Sequence, residues 1–365
     1  MIELARAVEV LEDIAPTASA EDWDNVGLLV GDPKQQVNRA LLVIDYTPPV
    51  ASEAQEEGCD LVIAYHPPIF SGLKRITATG ENGIYETIRR GIAIYSPHTA
   101  LDVADGGTND MLADALGLTE RRPLKLIQPK ANQLKLVTFV PEKDVARVSE
   151  ALFKAGAGII GDYTHCSFRS PGTGTFFGEE GTNPTIGRSG RLEETLEVRV
   201  ETVVPITKAP EVIAALKQSH PYEEPAFDLQ QLAAPPTGIG QGRIGTVQPT
   251  QRSELFDRIK RELNLSHLLI AGPQDGAITT AACCAGSCGD FLGDAMKAGA
   301  ELFLTGELRH HDALAAASAG MTVVCTLHSN SERAVLKRLA QKLNEKLPQL
   351  PTQISTTDRD PFSFA

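Results

Sequence analysis

The sequence predicts an α/β protein: a two-lobed, sheet-based domain interrupted by an inserted α+β domain of ferredoxin-like type. Three observations predict it. Strands and helices alternate near both ends of the chain, the pattern of parallel sheets with helices on both faces. The alternation returns at a fixed offset, 307 − 66 = 241, which carries Gly58 onto Gly299 and Asp60 onto Glu301. Between the two runs, Val140-Pro141 and Val204-Pro205 are each followed, ten residues after the proline, by Ala-Leu (Ala151-Leu152 and Ala215-Leu216), a duplicated βαβ pattern.

Taken in order, Met1 to Ala15 spaces Ile2, Leu4, Ala5, Val8, Leu11 and Ile14 as one face of an amphipathic helix, and without a basic leader it does not read as a signal peptide. Trp23 to Pro33 reads as turn, short strand and turn, and Ala40 to Asp45 as a buried strand. Prolines open and Gly58 closes a helix over Pro49–Glu57. Leu61 to Ala64 is a strand, Glu81 to Arg90 a helix ended by Gly91, and Ile92 to Tyr95 a strand. In the second run Ala281 to Ala285 is a strand, Phe291 to Ala298 a helix, Leu302 to Leu304 a strand and Met321 to Cys325 another.

The middle segment reads as strand Leu134–Val140, helix Val145–Ala155, a Gly- and Thr-rich stretch from Ser170 to Gly190, strand Glu197–Val204, helix Pro210–Gln218 and strand Pro225–Leu229. The organisation expected is therefore a first lobe over 1–127, an insert over 128–235 and a second lobe over 236–365, with polar linkers near Gln128-Pro129 and Ala233-Ala234-Pro235-Pro236.

Composition narrows the function classes. A chain of 365 residues with 42% apolar and 22% charged residues is globular, and a net charge of −13 argues against a non-specific grip on nucleic acid. No apolar run approaches the roughly 20 residues that span a bilayer. Six cysteines in so long a chain are no disulfide framework, so a cytoplasmic protein with reduced thiols is expected. Cys283, Cys284 and Cys288 read as buried small hydrophobes rather than a thiolate site.

The chemistry concentrates where strands end, the place where open α/β sheets bind ligands. His66 follows the strand Leu61–Ala64, His98 follows Ile92–Tyr95 with Asp102 four residues on, and His328 follows Met321–Cys325 with Glu332 four residues on. Imidazoles and carboxylates together suit a divalent metal of the zinc, iron or manganese type. Two carboxylates among few ligands suit a pair of cations about 3.5–4 Å apart, with Asp102 bridging. His328 and Glu332 share a helical face at i, i+4, although Ser329 or Ser331 capping a helix with an acid in its first turn accounts for the same spacing. Glu307, at the position matching His66, reads as a base or as a support for the ligands; His310 and His311, adjacent on a helix, point about 100° apart and do not share one ion easily. His165 and His220, in the insert, read as local. Gly240-Gln241-Gly242-Arg243-Ile244-Gly245 fits G-x-G-x-x-G, yet no strand precedes it, and it reads as the turn by which the chain re-enters its main domain. No G-x-x-x-x-G-K-[ST] phosphate loop exists.

These residues together resemble the Nif-three-like family, also labelled GTP cyclohydrolase 1 type 2 homologues. The resemblance rests on Trp23-Asp24-Asn25-Val26-Gly27-Leu28, Tyr65-His66-Pro67-Pro68, His98-Thr99-Ala100-Leu101-Asp102, Thr305-Gly306-Glu307 with His310, and His328-Ser329-Asn330-Ser331-Glu332, and it runs through nearly the whole chain. It implies a two-lobed α/β domain with a dinuclear metal centre, ring-shaped homohexamers, and, for the insert with His220-Pro221-Tyr222-Glu223-Glu224-Pro225-Ala226-Phe227-Asp228, a PII- or CutA-like domain. The ligands it implies are His66, Asp102, His328 and Glu332. Where the family's pattern has a second histidine this chain has Tyr65, a phenol that ligates well only as phenolate, so one metal position is expected to be weaker or to prefer a harder ion. The activity implied is hydrolysis of the guanine imidazole ring of GTP, with Glu307 or His98 moving protons; a hydrolase of another small phosphorylated or cyclic substrate is the broader expectation. A scaffold or regulatory protein, with protein partners and an insert that senses a ligand, is the rival from a different class.

Overall fold

The computed structural model describes residues 1–78, 83–127, 132–234 and 238–363. The chain forms two compact units, Met1–Ile127 with Gly238–Ala365, and Gln128–Thr237. The expected linkers at Gln128-Pro129 and Pro235-Pro236, and the first two residues of the helix expected from Glu81, lie outside the described residues.

In chain order the first unit begins β1 (Ile2–Glu3), α1 (Leu4–Ile14), β2 (Gly27–Val30), β3 (Gln36–Val37), β4 (Ala40–Val43), α2 (Pro48–Glu56), β5 (Leu61–Ala64), α3 (Ile84–Arg89), β6 (Ala93–Ser96), α4 (His98–Val103), α5 (Thr108–Leu116) and β7 (Thr119–Leu126). The second unit holds β8 (Gln133–Pro141), α6 (Val145–Lys154), β9 (Ser167–Phe177), β10 (Leu192–Pro205), α7 (Ala209–Ser219) and β11 (Phe227–Gln231). The first unit resumes with β12 (Gly240–Gln251), α8 (Arg252–Leu263), β13 (Leu269–Ala271), β14 (Ala277–Ser287), α9 (Leu292–Lys297), β15 (Leu302–Glu307), α10 (His310–Ser318), β16 (Thr322–Cys325), α11 (His328–Arg333), α12 (Val335–Lys346) and β17 (Thr352–Ile354). No helix is long and apolar enough to cross a membrane among the described residues.

The first unit contains two sheets, ordered β17-β4-β5-β6-β2 and β13-β16-β15-β14-β12-β7. β4, β5 and β6 are parallel, as are β14, β15 and β16, and each trio has an antiparallel edge strand on one side (β2 or β13). Both faces of the central strands are buried, which is why they read as unbroken apolar runs. In the first sheet Leu42 and Ile63 face α1 and α12, while Leu41 and Val62 face α2 and α3. In the second, Cys283 and Leu304 face α5 and α8, while Cys284 and Phe303 face α9 and α10.

The 241-residue offset holds in the hydrogen bonding. Ala40 pairs with Leu61 and Ala281 with Leu302. The Asp60 carboxylate accepts from the backbone N–H groups of Asn38 and Arg39, and the Glu301 carboxylate from those of Thr279 and Thr280. Gly58 and Gly299 close the preceding helices with φ of +65° and +80°, a conformation that a Cβ disfavours. The lobes are not contiguous halves, however. β7 joins the second sheet and β17 the first, so each sheet is completed by a strand from the other end of the chain.

Several elements differ from expectation. The G-x-G-x-x-G stretch is not a re-entry turn but the start of the long strand β12, paired on both sides by β7 and β14. The Gly/Thr-rich stretch contains the edge strand β9, paired with β10 from Ser167 to Phe177. His98 begins a helix, α4, where none was expected, and α5, β7, α8 and α12 were not expected either. The second unit is an antiparallel sheet, β11-β8-β10-β9, with α6 and α7 packed through Val148, Leu152, Val212 and Leu216 on one face, the ferredoxin-like arrangement.

The segment after β17 braces the site. Glu53 of α2 is buried and accepts from Thr356 N (2.7 Å), Thr357 Oγ1 (2.6 Å) and Ser355 Oγ. Burial alone raises its carboxyl, but those donors outweigh burial and hold it at about 2. Asp358 accepts from Ile44 N (2.7 Å) and Arg333 Nη1 (2.6 Å), tying the end of β4 to α11. Because the folded pKa is depressed, the Glu53 contribution is complete above about 4.5 and disappears as pH falls toward 2. Glu53→Gln is expected to cost about 2–3 kcal/mol of stability at neutral pH and to flatten the acid limb of a urea-midpoint series. An acid limb as steep as that of the native chain would show that another group carries it.

Candidate metal centre

The first unit brings its strand ends together. β5 delivers Tyr65 and His66, β6 delivers His98 at the start of α4, β15 ends in Glu307, and β16 leads through Leu327 into α11 with His328 and Glu332. Leu327 has φ of +72° and His98 of +24°. A bulky residue in the left-handed region is strained, and such strain collects where a site imposes it.

His66, His328 and Glu332 each offer a ligand atom, and these atoms lie within 4.8 Å of one another. Glu332 is buried. Its Oε1 is 3.3 Å from His328 Nε2 and its Oε2 is 3.2 Å from His66 Nε2. The other nitrogen of each ring is already committed: His66 Nδ1 lies 2.9 Å from Asp45 Oδ1 and His328 Nδ1 2.9 Å from Glu307 Oε1. His98 follows the same rule, with Nδ1 2.8 Å from Asp24 Oδ1. The His66 and His98 ring centroids are 5.2 Å apart, and those of His66 and His328 5.4 Å. A carboxylate on Nδ1 fixes the tautomer, so that Nε2 presents its lone pair, the usual orientation of metal-binding imidazoles.

Two Nε2 lone pairs facing one carboxylate cannot be satisfied by each other. Either both rings carry a proton or a cation lies between them. Burial disfavours the charged ring of His66, but the adjoining Asp45 and Glu332 carboxylates outweigh it and raise its pKa to about 10. Glu332 beside His328, aided by Glu307 and opposed by burial, raises His328 to about 9. Burial would raise Glu332, yet the two imidazoles hold it below the ordinary range.

The donors fit a divalent ion on three counts. Glu332 Oε2 is buried without a hydrogen-bond partner, and such atoms call for one. A tetrahedral ion with bonds of about 2.0–2.1 Å spaces its ligands by roughly 3.4 Å, near the distances here. Gly286, at φ of +77°, leaves room: a Cβ there would stand 3.0 Å from Glu332 Oε1 and 3.5 Å from His328 Nε2.

Asp102 lies apart from that trio of ligand atoms. Its Oδ1 accepts a hydrogen bond from the Tyr65 hydroxyl. Burial raises the Asp102 carboxyl to about 6, against the pull of Tyr65 and His98. Burial, then the charges of Asp102 and Glu332, keep the Tyr65 phenol protonated. As placed, Tyr65 is a donor to Asp102. His310 and His311 are exposed at the start of α10, and His220 is satisfied locally by Phe139 O (3.0 Å) and Tyr222 N (3.1 Å). Cys283, Cys284 and Cys288 are buried.

Asp24 and Asp45, which orient two of the three imidazoles, were missed as site residues. Asp45 carried a signal, since it follows the strand β4 by two residues, at the same edge as the other strand ends. Asp24 lies in the Trp23-Asp24-Asn25 turn, whose spacing alone points nowhere.

A family model described as Duf34/NIF3 (NGG1p interacting factor 3) matches residues 2–361. A protein of Halalkalibacterium halodurans named GTP cyclohydrolase 1 type 2 homolog is 36% identical, covering 98% of this chain and 97% of that one. One of the same name from Mycobacterium tuberculosis is 34% identical, covering 100% and 97%. Among solved structures, a Bacillus cereus protein related to NIF3 is 34% identical with a TM-score of 0.66, and a Staphylococcus aureus protein is 28% identical with a TM-score of 0.74; each match covers 100% of this chain and 99% of the other.

Two outcomes are expected. Asp45→Asn and Glu307→Gln each weaken zinc affinity by about 10- to 100-fold, measured by competition with a chromophoric chelator. In metal-free protein the raised imidazoles stabilise the fold fully below about 6.5, and that contribution is lost as pH rises through about 9 and 10. The melting temperature in chelator should therefore fall from pH 7 to 10, with a smaller slope in Glu332→Gln.

Proposed function

We propose a metal-dependent hydrolase for this chain, which belongs to the Duf34/NIF3 family, acting on a small phosphorylated or cyclic substrate with a pair of divalent cations of the zinc, iron or manganese type. The observation that carries the reading is the buried Glu332 carboxylate between two imidazoles, its Oε1 3.3 Å from His328 Nε2 and its Oε2, which makes no hydrogen bond, 3.2 Å from His66 Nε2. His66, His328 and Glu332 would hold the first cation, and Asp102 the second. Bound there, the cations supply Lewis acidity and lower the pKa of a water toward neutrality. Asp45 and Glu307 orient the ligand rings. His98, with Nδ1 engaged by Asp24, keeps Nε2 as the atom that can take or give a proton. Glu307 has one oxygen committed to His328, and its other oxygen, on a half-exposed side chain, is the one free to accept a proton.

The relatives' shared name points to GTP cyclohydrolase chemistry, but the donors fit that reaction no better than other hydrolyses, and the broader class is the reading adopted. The second unit's strand order supports reading it as a PII- or CutA-like regulatory module, and the family supports a homohexamer, which light scattering tests directly.

One observation favours a second reading. The Tyr65 hydroxyl occupies Asp102, the carboxylate on which the second cation depends. A chain that has lost that position would act as a scaffold, binding protein partners through a fold stabilised by one ion. Elemental analysis beside Asp102→Ala, His328→Ala and Tyr65→His separates the two. The hydrolase reading expects about two metals per chain, lost in the Asp102 and His328 variants, with metal-dependent turnover in a screen of phosphorylated and cyclic compounds. About one metal, rising toward two in Tyr65→His, would remove the two-metal mechanism, and no metal after reloading would sink the enzyme.

A further inference from the structure

The second unit has a cavity that owes nothing to the metal centre. Its sheet places α6 and α7 on the face bearing Val140, Val198 and Val200. Residues of the opposite parity, Phe139 paired with Arg199 and Gly172 paired with Glu197, line the other face. Two segments fold over that face and are tied together: Thr185 Oγ1 donates to Pro221 O (2.6 Å), and Asn183 N to Glu223 Oε2 (3.3 Å). Between them and the sheet lies a cavity of about 560 Å³, within the range of small-molecule sites.

The floor is built by glycine. Gly172 and Gly174 sit on the cavity face of β9, two residues apart, where a strand would ordinarily carry side chains. A Cβ on Gly172 would meet nothing within 4 Å, so its absence is open space. A Cβ on Gly174 would fall 2.2 Å from Glu197 Oε2, so that carboxylate rests directly on the bare backbone. Glycine inside a strand costs stability, and two of them at alternate positions on one face mark a place where something approaches closely.

The lining sets the chemistry. Phe139, Phe176, Pro184 and Ile186 make the walls apolar. The Tyr222 hydroxyl donates to Glu197 Oε1 (2.6 Å), which orients that carboxylate and leaves Oε2 over the floor. Glu223 and Glu224 add two further carboxylates at the cavity. Arg199, the one cation among the described lining residues, is engaged by Glu201 at 2.9 Å. An anion would meet net negative charge, whereas a cation with an apolar body would find both complements.

We propose that this cavity binds a small organic ammonium ion, an aliphatic or aromatic amine, with its charged head on Glu197 and its body over Gly172 and Gly174. Isothermal titration of the full chain tests it, with 2-phenylethylammonium and hexylammonium as probes and 2-phenylethanol and phenylacetate as the neutral and anionic controls. Saturable binding of at least one ammonium is expected, about tenfold weaker for the alcohol and absent for the carboxylate. Gly172→Val, which fills the floor, should abolish binding, and the near-isosteric Glu197→Gln should weaken it at least tenfold; circular dichroism and metal content report that each variant is folded. Neither ammonium binding, phenylacetate binding as well as its amine, or equal binding by both folded variants would overturn the proposal. So would a concentration-dependent self-association that closes the cavity and is lost in Gly172→Val.

Discussion

A buried carboxylate needs positive charge beside it, and in this protein that requirement falls on Glu332. Burying an ion without a partner is costly enough that the surrounding structure must supply one. Here the partners are two imidazoles from strand ends of different sheets, His66 and His328, each held from behind by a further carboxylate. The two sheets are joined at this point by charge rather than by backbone pairing. The brace through Asp358, which grips Ile44 N and Arg333, sets the end of β4 against α11 and so positions Asp45 and Glu332 together. The left-handed backbone at Leu327 is the local cost of aiming His328 inward.

The internal duplication explains how such a site arises and why it is not symmetric. Capping carboxylates, helix-closing glycines and strand register all repeat at the same offset, so the two scaffolds follow one plan. The strand-end residues are not. His66 faces Glu332 directly, while its counterpart Glu307 sits behind His328 and orients it. One copy thus places a donor at the position where the other places the group that steers a donor. Exchange of β7 and β17 between the sheets locks the copies together, because neither sheet is complete without the other end of the chain.

The inserted unit follows a different economy. Its helices bury one face of the sheet through Val140, Val200 and Leu216, leaving the other to be covered by irregular segments. Where those segments meet glycine instead of side chains, space remains, and charge rather than size decides what it admits.

The sequence by itself determined the parallel strand trios, their 241-residue offset and the placing of His66, His328 and Glu332 just beyond strand ends. These features are local: apolar runs bounded by glycine mark buried strands, and His-x-x-x-Glu spacing places two donors on one helical turn. What it could not determine was non-local. Which sheet receives β7 or β17 depends on partners more than a hundred residues away, and β9 and β12 are glycine-rich strands whose own propensity argues for turns. Asp24 and Asp45 acquire meaning only when their side chains meet His98 and His66 across 74 and 21 residues of chain. The diversion of Asp102 to Tyr65 is likewise a matter of packing, since a buried phenol finds the nearest acceptor. Tertiary structure decided these because rotamers, burial and charge pairing are settled only once the strand ends converge.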